Sequence, residues 1–299
     1  MKETVGEKIF NVINIIILSL LSASFLYPFW NTCVLSFNDS LDTLRGGIYF
    51  WPRIFTLDNY KAVLADATIY RAYVITILKT VIGTLTSVTF TGMFAYGLSK
   101  KKLMFRNFYL TICTITLFFS GGLIPTYLLY RSLGLLDNFM VYIIPGLWSV
   151  GNMLVMKSFF VGLPNALEEA AEIDGCNHLQ IFFQIIIPLS MPVISTVALM
   201  NAIAHWNGWF DAYIYINNET LYPLQTVLMK IINQSNMITA MKSGEMFQSQ
   251  TDVSVSSGMV TSEGIKMATM MVTVGPIILV YPFFQKYFVK GMTLGSIKE

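Results

Sequence analysis

Carboxylates and small residues are concentrated in one short segment that lies between two long apolar stretches. The run from Leu163 to Gly175 contains the side chains of interest, which are Glu168, Glu169, Ala170, Ala171 and Asp174. A carboxylate can meet a basic group on a partner, and alanine lets a second surface approach closely. Residues of these types fit a docking surface, although charges facing water on an amphipathic interfacial helix would give the same composition.

Local signals predict how this segment folds. We expect Asn165 to cap a short helix and Glu168 to complement its positive end. Gly175 suits the left-handed residue that terminates a helix. A second short helix follows, and Pro188 can open the next long helix. The sequence therefore predicts an elbow over about 162–187.

The elements around this elbow are apolar. Of 299 residues, 55% are hydrophobic and 12% are charged, about half the charge of an average soluble domain. A membrane-spanning helix needs about 20 apolar residues, and six charge-poor stretches are long enough. We predict an all-α membrane protein with a single transmembrane domain over 1–299 and spans at about 9–37, 72–99, 107–130, 138–160, 188–212 and 266–286.

Basic residues in short loops predict the orientation, because they are retained on the cytoplasmic side. The tight turn with Lys100, Lys101, Lys102 and Arg106 is the best marker. Placing it inside predicts that the elbow and both termini are cytoplasmic and that the long connections face outward.

Composition also excludes several classes. The net charge of +2 gives no reason to expect a nucleic-acid partner. The three cysteines are scattered, and His178 and His205 are far apart, so neither a disulfide framework nor a metal site is predicted. The chain lacks a glycine-rich loop that ends in Gly-Lys-Ser/Thr, so we expect no nucleotide, no cofactor and no enzymatic activity in this chain.

The elbow resembles the EAA loop of ABC importer permeases. The pattern is Glu169-Ala170-Ala171, three residues, Gly175, nine residues and then Ile185 to Pro188. Ile187 stands where the family has leucine, which is an apolar exchange. Three further segments are similar to carbohydrate-type permeases, namely His205–Tyr213, Leu221–Gln225 and Gly291–Lys298. Over essentially its whole length the chain is identified as a member of the maltose-permease-like family, nearest the LplC/YtcP-like subgroup linked to complex saccharides.

This resemblance implies a role for each matched segment. The EAA loop would be a coupling helix that docks on a cytoplasmic ATPase, with Glu168, Glu169, Ala170, Ala171, Asp174, Gly175 and Pro188 as its residues. Thr293, Gly295 and Lys298 would form a docking tail, unless the tail is a frayed end. The implied partners are a second permease, two ATPases that hold ATP and magnesium, an extracellular solute-binding protein, membrane lipid and a sugar. The implied location is the bacterial cytoplasmic membrane.

Residues that suit sugar binding are also present. Aromatic faces stack on pyranose rings, and Asn, Asp and Tyr bind hydroxyls. The path candidates are Lys79, Tyr127, Trp206, Asn207, Trp209, Asp211 and Tyr213. An interfacial aromatic belt accounts equally well for the Trp and Tyr residues. Lys79 is the acid or base deepest in a predicted span, and its alternatives are a structural partner inside the bundle or attraction of an acidic sugar.

Three rival functions stay open. The first is a permease for another polar solute, such as a polyamine or a phosphorylated compound. The second is an ion-coupled transporter, which would require intramembrane acids that the predicted spans lack. The third is a membrane scaffold without energy coupling, which co-purification with an ATPase would discriminate against.

Overall fold

The computed structural model describes residues 4–243 and 260–296, and these residues form helices and their connections. Within these ranges the extended pairing is limited to an isolated bridge between Asn38 and Phe55. The helices are α1 (Val5–Ser36), α2 (Ser40–Leu44), α3 (Asp58–Ala65), α4 (Ala67–Ser99), α5 (Arg106–Phe118), α6 (Leu123–Ser132), α7 (Val150–Val161), α8 (Asn165–Ile173), α9 (His178–Ile181), α10 (Ile187–Leu189), α11 (Met191–Asn207), α12 (Phe210–Tyr215), α13 (Leu224–Ser243) and α14 (Ser262–Ser296). Shorter turns of 3-10 helix cover Phe139–Tyr142 and Glu219–Leu221, and a π-helix covers Phe182–Ile186. The predicted all-helical class is confirmed for the described residues.

Two of the described helices, α1 and α4, are long and apolar enough to cross a membrane. The 32 residues of α1 reach about 48 Å, more than the roughly 30 Å hydrocarbon core. Thr4 and Glu7 start this helix with a capping box, in which each side chain bonds the backbone amide of the other residue. Counting each of two bent helix pairs as one span raises the number to four.

Three predicted spans are less continuous than expected. The stretch 107–130 is divided into α5 and α6, which are bent by 116°. The break contains Gly122, whose φ of +84° is a conformation that ends a helix without steric penalty. In the stretch 138–160 a long helix begins only at Val150, capped by Ser149. The stretch 188–212 contains an 88° bend at Ser190, between the helical run that ends at Leu189 and α11.

The structure divides into two compact units. The first contains the described part of Met1–Ile69 together with Leu228–Gly275. Its buried centre is polar: the Asn38 side chain accepts from the amides of Arg53 and Ile54, and Asn59 donates to the carbonyl of Asn38. Both asparagines are fully buried, and in each the side-chain amide nitrogen donates a hydrogen bond while the side-chain oxygen accepts one. These bonds hold the surrounding connections of the first unit together.

The second unit contains Tyr70–Val227 and the described part of Pro276–Glu299. Its apolar core joins α4, α7, α8, the π-helix and α11. A Cβ atom on Gly92 of α4 would lie 3.1 Å from Met156 and 3.2 Å from Phe182, so the absence of a side chain permits this close packing. The segment 163–189 is thereby packed on the helices of its own unit.

Candidate functional site

The predicted elbow is present as two short helices joined by a tight turn, α8 and α9. The prediction that Asn165 caps α8 is wrong, because Pro164 occupies the capping position and Asn165 is already helical. Pro164 has an extended backbone conformation, so α8 begins at Asn165. This start is one residue earlier than a cap at Asn165 would place it. The side chain that caps an elbow helix is instead Asn177, which forms a capping box with Gln180. The Asn-x-x-Gln spacing is the sequence signal that indicates this cap.

Gly175 ends α8 as the sequence predicts. Its φ is +83°, and the amides of Gly175 and Cys176 donate to the carbonyls of Glu172 and Ala171. This pair of bonds is a Schellman motif, which satisfies the last carbonyls of a helix and requires a left-handed residue. The turn between the two elbow helices is therefore fixed by the backbone conformation at one residue.

The two faces of α8 differ in what they contact. Ala171 is 5% exposed and belongs to the apolar core, while Ile173 is 85% exposed. Glu169 and Ala170 are also exposed, and Glu168 is half-buried. In the EAA triplet, Glu169 and Ala170 are thus exposed, and Ala171 packs against the core of the same chain.

Glu168 attaches the elbow to the end of α4. Its carboxylate pairs with the ammonium group of Lys100 and accepts a hydrogen bond of 3.3 Å from the Tyr96 hydroxyl. The Lys100 ammonium lies 4.1 Å from the centre of the Tyr96 ring, and that ring contacts Phe182 at 5.6 Å. Burial lowers the pKa of Lys100, and the Glu172 carboxylate opposes this shift. Sequence reasoning missed Tyr96 and the pairing of Lys100 with Glu168, because these contacts join residues about 70 positions apart.

A second group of predicted residues surrounds Lys79 of α4. Lys79 is 1% exposed, and its ammonium group donates to the carbonyl of Gly208 at 2.6 Å. The same group lies 4.9 Å from the centre of the Tyr142 ring. The Gly208 carbonyl and the Tyr142 ring are thus two partners of the buried charge. The structure therefore holds Lys79 against the loop between α11 and α12.

The Trp-Asn segment forms this loop. Asn207 ends α11, and Phe210 begins α12. The Trp209 carbonyl accepts from the Thr226 hydroxyl at 3.0 Å, and the Asn207 side chain accepts from Gln225 at 3.2 Å. Trp209 also contacts Tyr213 with ring centres 5.8 Å apart. Trp206 is half-buried, and Asp211 and Tyr213 are exposed in this chain.

Tyr127 lies in an aromatic cluster. Its ring stacks on that of Tyr215 at 6.1 Å, and Tyr130 contacts Tyr215 at 4.9 Å. Sequence reasoning did not single out Tyr130 or Tyr215, because neither has a motif. The cluster brings α6 and α12 together and leaves Tyr127 36% exposed.

Asp137 is a further residue that sequence reasoning missed. It adopts a left-handed backbone conformation, with a φ of +55°. Its carboxylate accepts from the amides of Asn217 and Asn218, and its own amide donates to the Tyr215 carbonyl at 3.0 Å. These amide bonds lower the pKa of Asp137. One aspartate thereby joins the connection after α6 to the connection after α12.

The predicted tail is described only in part. Thr293 and Gly295 lie on the last turns of α14, where the backbone alone is described, and Lys298 lies outside the described residues. Pro188 lies within α10, before the bend at Ser190, and not at the start of α11 as the sequence predicts.

Apolar helices long enough for a bilayer, together with an elbow of two short helices, are typical of a membrane-embedded protein. A family model described as "Binding-protein-dependent transport system inner membrane component" matches residues 89–294. The chain belongs to this family, and the predicted permease resemblance is confirmed.

Particular relatives are similar over almost the full length. Protein LplC of Bacillus subtilis is 38% identical over 298 residues, which is 100% of this chain and 98% of LplC. The polygalacturonan/rhamnogalacturonan transport system permease protein YtcP of the same organism is 38% identical over 91% of this chain and 92% of its own. Among solved structures, a chain of a bacterial ABC transporter involved in the import of the acidic polysaccharide alginate is similar with a TM-score of 0.83. It is 31% identical, and the match covers 96% of this chain and 99% of that one.

Proposed function

We propose that this chain is a transmembrane permease subunit of an ATP-driven importer that moves an oligosaccharide or complex sugar into the cell. Membership of the transport family and the names of full-length relatives support this function. The observation that carries the mechanism is the division of α8 into two faces. Glu169 and Ile173 are available to a partner, whereas Ala171 and Glu168 bind the elbow to its own bundle.

The proposed topology has six spans in one domain over 1–299, with the elbow between the fourth and fifth spans. α1, α4, the α5/α6 pair, α7, α11 and α14 would supply these spans. α1, α4 and the two bent helix pairs account for up to four of these spans. With the lysine turn inside, both termini and the elbow are cytoplasmic in the bacterial plasma membrane.

Coupling would proceed through the contacts of the elbow. A partner that pushes or pulls on Glu169 and Ile173 acts on a helix whose other face is fixed to α4 by Glu168 and to the apolar core by Ala171. Because interiors are close-packed, displacement of α8 moves α4 and the core helices with it. ATP can drive this displacement only through different binding free energies for the two conformations.

The remaining partners follow from the same proposal. A second permease completes the pathway, two cytoplasmic ATPases hold ATP and magnesium, and an extracellular solute-binding protein delivers the sugar. Hydrolysis belongs to the ATPases, and this chain has no catalytic residue. The tail residues Thr293, Gly295 and Lys298 are proposed to dock on the same ATPases.

The proposed solute path is lined by Tyr127, Trp206, Asn207, Trp209, Asp211 and Tyr213. The exposure of Asp211, Tyr213 and Asn207 in this chain supports contact with a polar solute. Lys79 is proposed as a structural member of this region, because its ammonium group is buried and bonded to Gly208.

The test is uptake and ATP hydrolysis by the assembled transporter in liposomes that contain the solute-binding protein. We expect Glu169→Gln and Gly175→Ala to separate ATP hydrolysis from uptake, while the subunit still inserts in the membrane. Neutral and uronic oligosaccharides should both be supplied, because the similar solved structure is of a transporter described with the acidic polysaccharide alginate. Uptake of neither class, or normal coupling in both variants, would count against the proposal.

A further inference from the structure

An open apolar groove lies where α4, α5 and the segment before α7 meet. Its volume is about 460 Å³, and its lining includes Phe94, Leu98, Tyr109, Ile112, Cys113 and Trp148. Leu98 and Cys113 are buried and form the floor. Phe94 and Trp148 stack at 5.2 Å on one wall and remain 49% and 38% exposed. The groove therefore offers an apolar surface of the kind that an alkyl chain fills.

A cationic turn borders this groove. Leu98 and Leu103 both line the groove, and the residues between them include Lys101 and Lys102. The Arg106 side chain donates to the Leu98 carbonyl at 2.8 Å, so the turn is held against the groove floor. Lys101 and Lys102 therefore lie in the short connection between two residues that line the groove.

The lysines of this turn differ in their partners. Lys100 pairs with Glu168, whereas Lys101 and Lys102 are exposed and form no ion pair with any described residue. Next to them Met104 and Phe105 are 71% and 63% exposed. Exposed apolar side chains beside unpaired cations are typical of a protein surface in the headgroup region of a bilayer.

The first turn of α5 adds to the positive potential. Phe105 stands at its capping position in a left-handed conformation, and no side chain caps the free amides. A helix of 13 residues with an uncapped start attracts negative charge to that end. The two lysines and the positive start of α5 are therefore close together in the chain.

We propose that this groove and turn form a binding site for an anionic phospholipid. One acyl chain occupies the groove between Phe94, Trp148 and Ile112, and the phosphate is held by Lys101 and Lys102. The positive charge of the turn favours this lipid over an apolar helix of another subunit. Either occupant would fill the groove, but only the lipid phosphate would also pair with the ammonium groups of Lys101 and Lys102. Basic sites between membrane helices bind anionic headgroups in this way. The proposal rests on the membrane family of the chain and does not depend on which solute is transported.

The test is native mass spectrometry of the delipidated transporter, titrated with phosphatidylglycerol or with phosphatidylcholine of the same acyl chains. We expect one phosphatidylglycerol to bind in preference to phosphatidylcholine. Lys101→Gln with Lys102→Gln should weaken this binding about tenfold or more, because each lysine near an anionic headgroup contributes to the binding free energy. The matched control removes two exposed charges elsewhere, by Lys8→Gln with Lys61→Gln, and should retain the preference.

A second variant tests the groove separately. Gly97 lines the groove, and a Cβ atom there meets nothing within 4 Å, so Gly97→Leu fills the space while keeping both lysines. We expect it also to remove the bound phosphatidylglycerol. Equal binding of the two lipids, or a preference that survives either variant, overturns the proposal. Loss of subunit assembly in Gly97→Leu without any lipid preference in the unmodified transporter would identify a protein segment as the occupant and would also overturn it.

Discussion

The attachment of the elbow through Glu168 gives the sharpest test of the proposed division of roles on α8. Replacing Glu168 by Gln removes the ion pair with Lys100 and weakens the bond from the Tyr96 hydroxyl. The side chains of Lys100 and Glu168 are 31% and 16% exposed, so solvent screens the pair only in part. Hydrogen bonds to charged groups contribute about 1.5–3 kcal/mol, and partial exposure reduces the expected coupling to about 1–2 kcal/mol.

The assay is a double-mutant cycle on the purified transporter. Glu168→Gln, Lys100→Met and the double variant are compared with the unmodified chain by the free energy of unfolding in a denaturant series. Glu169→Gln is the matched control, because this neighbouring carboxylate is exposed and should change stability by less than about 0.5 kcal/mol. A coupling energy near zero, or an equal loss of stability in the Glu169 variant, would refute the reasoning.

Three further changes test other parts of the structure. Gly264→Ala should destabilise the first unit by about 1–3 kcal/mol in thermal unfolding, because the new Cβ atom would lie 2.6 Å from the Asn59 side chain; unchanged stability would contradict this packing. Lys79→Met leaves the Gly208 carbonyl without its donor and should lower stability by about 1–3 kcal/mol. If the role of Lys79 is structural, the ratio of neutral to acidic oligosaccharide uptake stays the same in the variant, and a changed ratio would argue for contact with the solute. The lowered pKa of Asp137 stabilises the fold at pH values above its unfolded pKa of about 3.9, and this contribution disappears as pH falls through the folded pKa. The difference in melting temperature between the unmodified chain and Asp137→Asn should therefore be present at pH 7 and become smaller as pH falls below about 3.9, and a difference independent of pH would show that the carboxylate charge is not responsible.

Local features of the elbow could be predicted from the sequence, because each depends on a few adjacent residues. Gly175 ends α8 as expected, since its need for a left-handed conformation is decided within one turn. The error at Asn165 is also local: a proline directly before it competes for the capping position. Membrane character and family were likewise readable, because apolar length and the EAA spacing are properties of the chain alone.

Features that depend on distant residues could not be predicted. Glu168 and Glu169 have the same side chain, and the carboxylate that is half-buried is the one that pairs with Lys100, which directly follows α4. Asp137 has no motif, and its partners lie about 80 residues further along the chain. Gly122 permits the break between α5 and α6, but the 116° angle between these helices cannot be read from the type of one residue.

The central claim is that a separate ATPase exerts force on this chain through the exposed face of α8. Site-specific crosslinking from Ile173, which is 85% exposed, tests this most directly. With the natural cysteines replaced by serine, Ile173→Cys should crosslink to an ATPase subunit in the assembled transporter and should react with thiol reagents only from the cytoplasmic side. Phe50→Cys, a similarly exposed position in the first unit, should give no such crosslink. Labelling of Ile173→Cys from outside the cell, or failure to crosslink in a transporter that hydrolyses ATP and takes up sugar, would contradict the account.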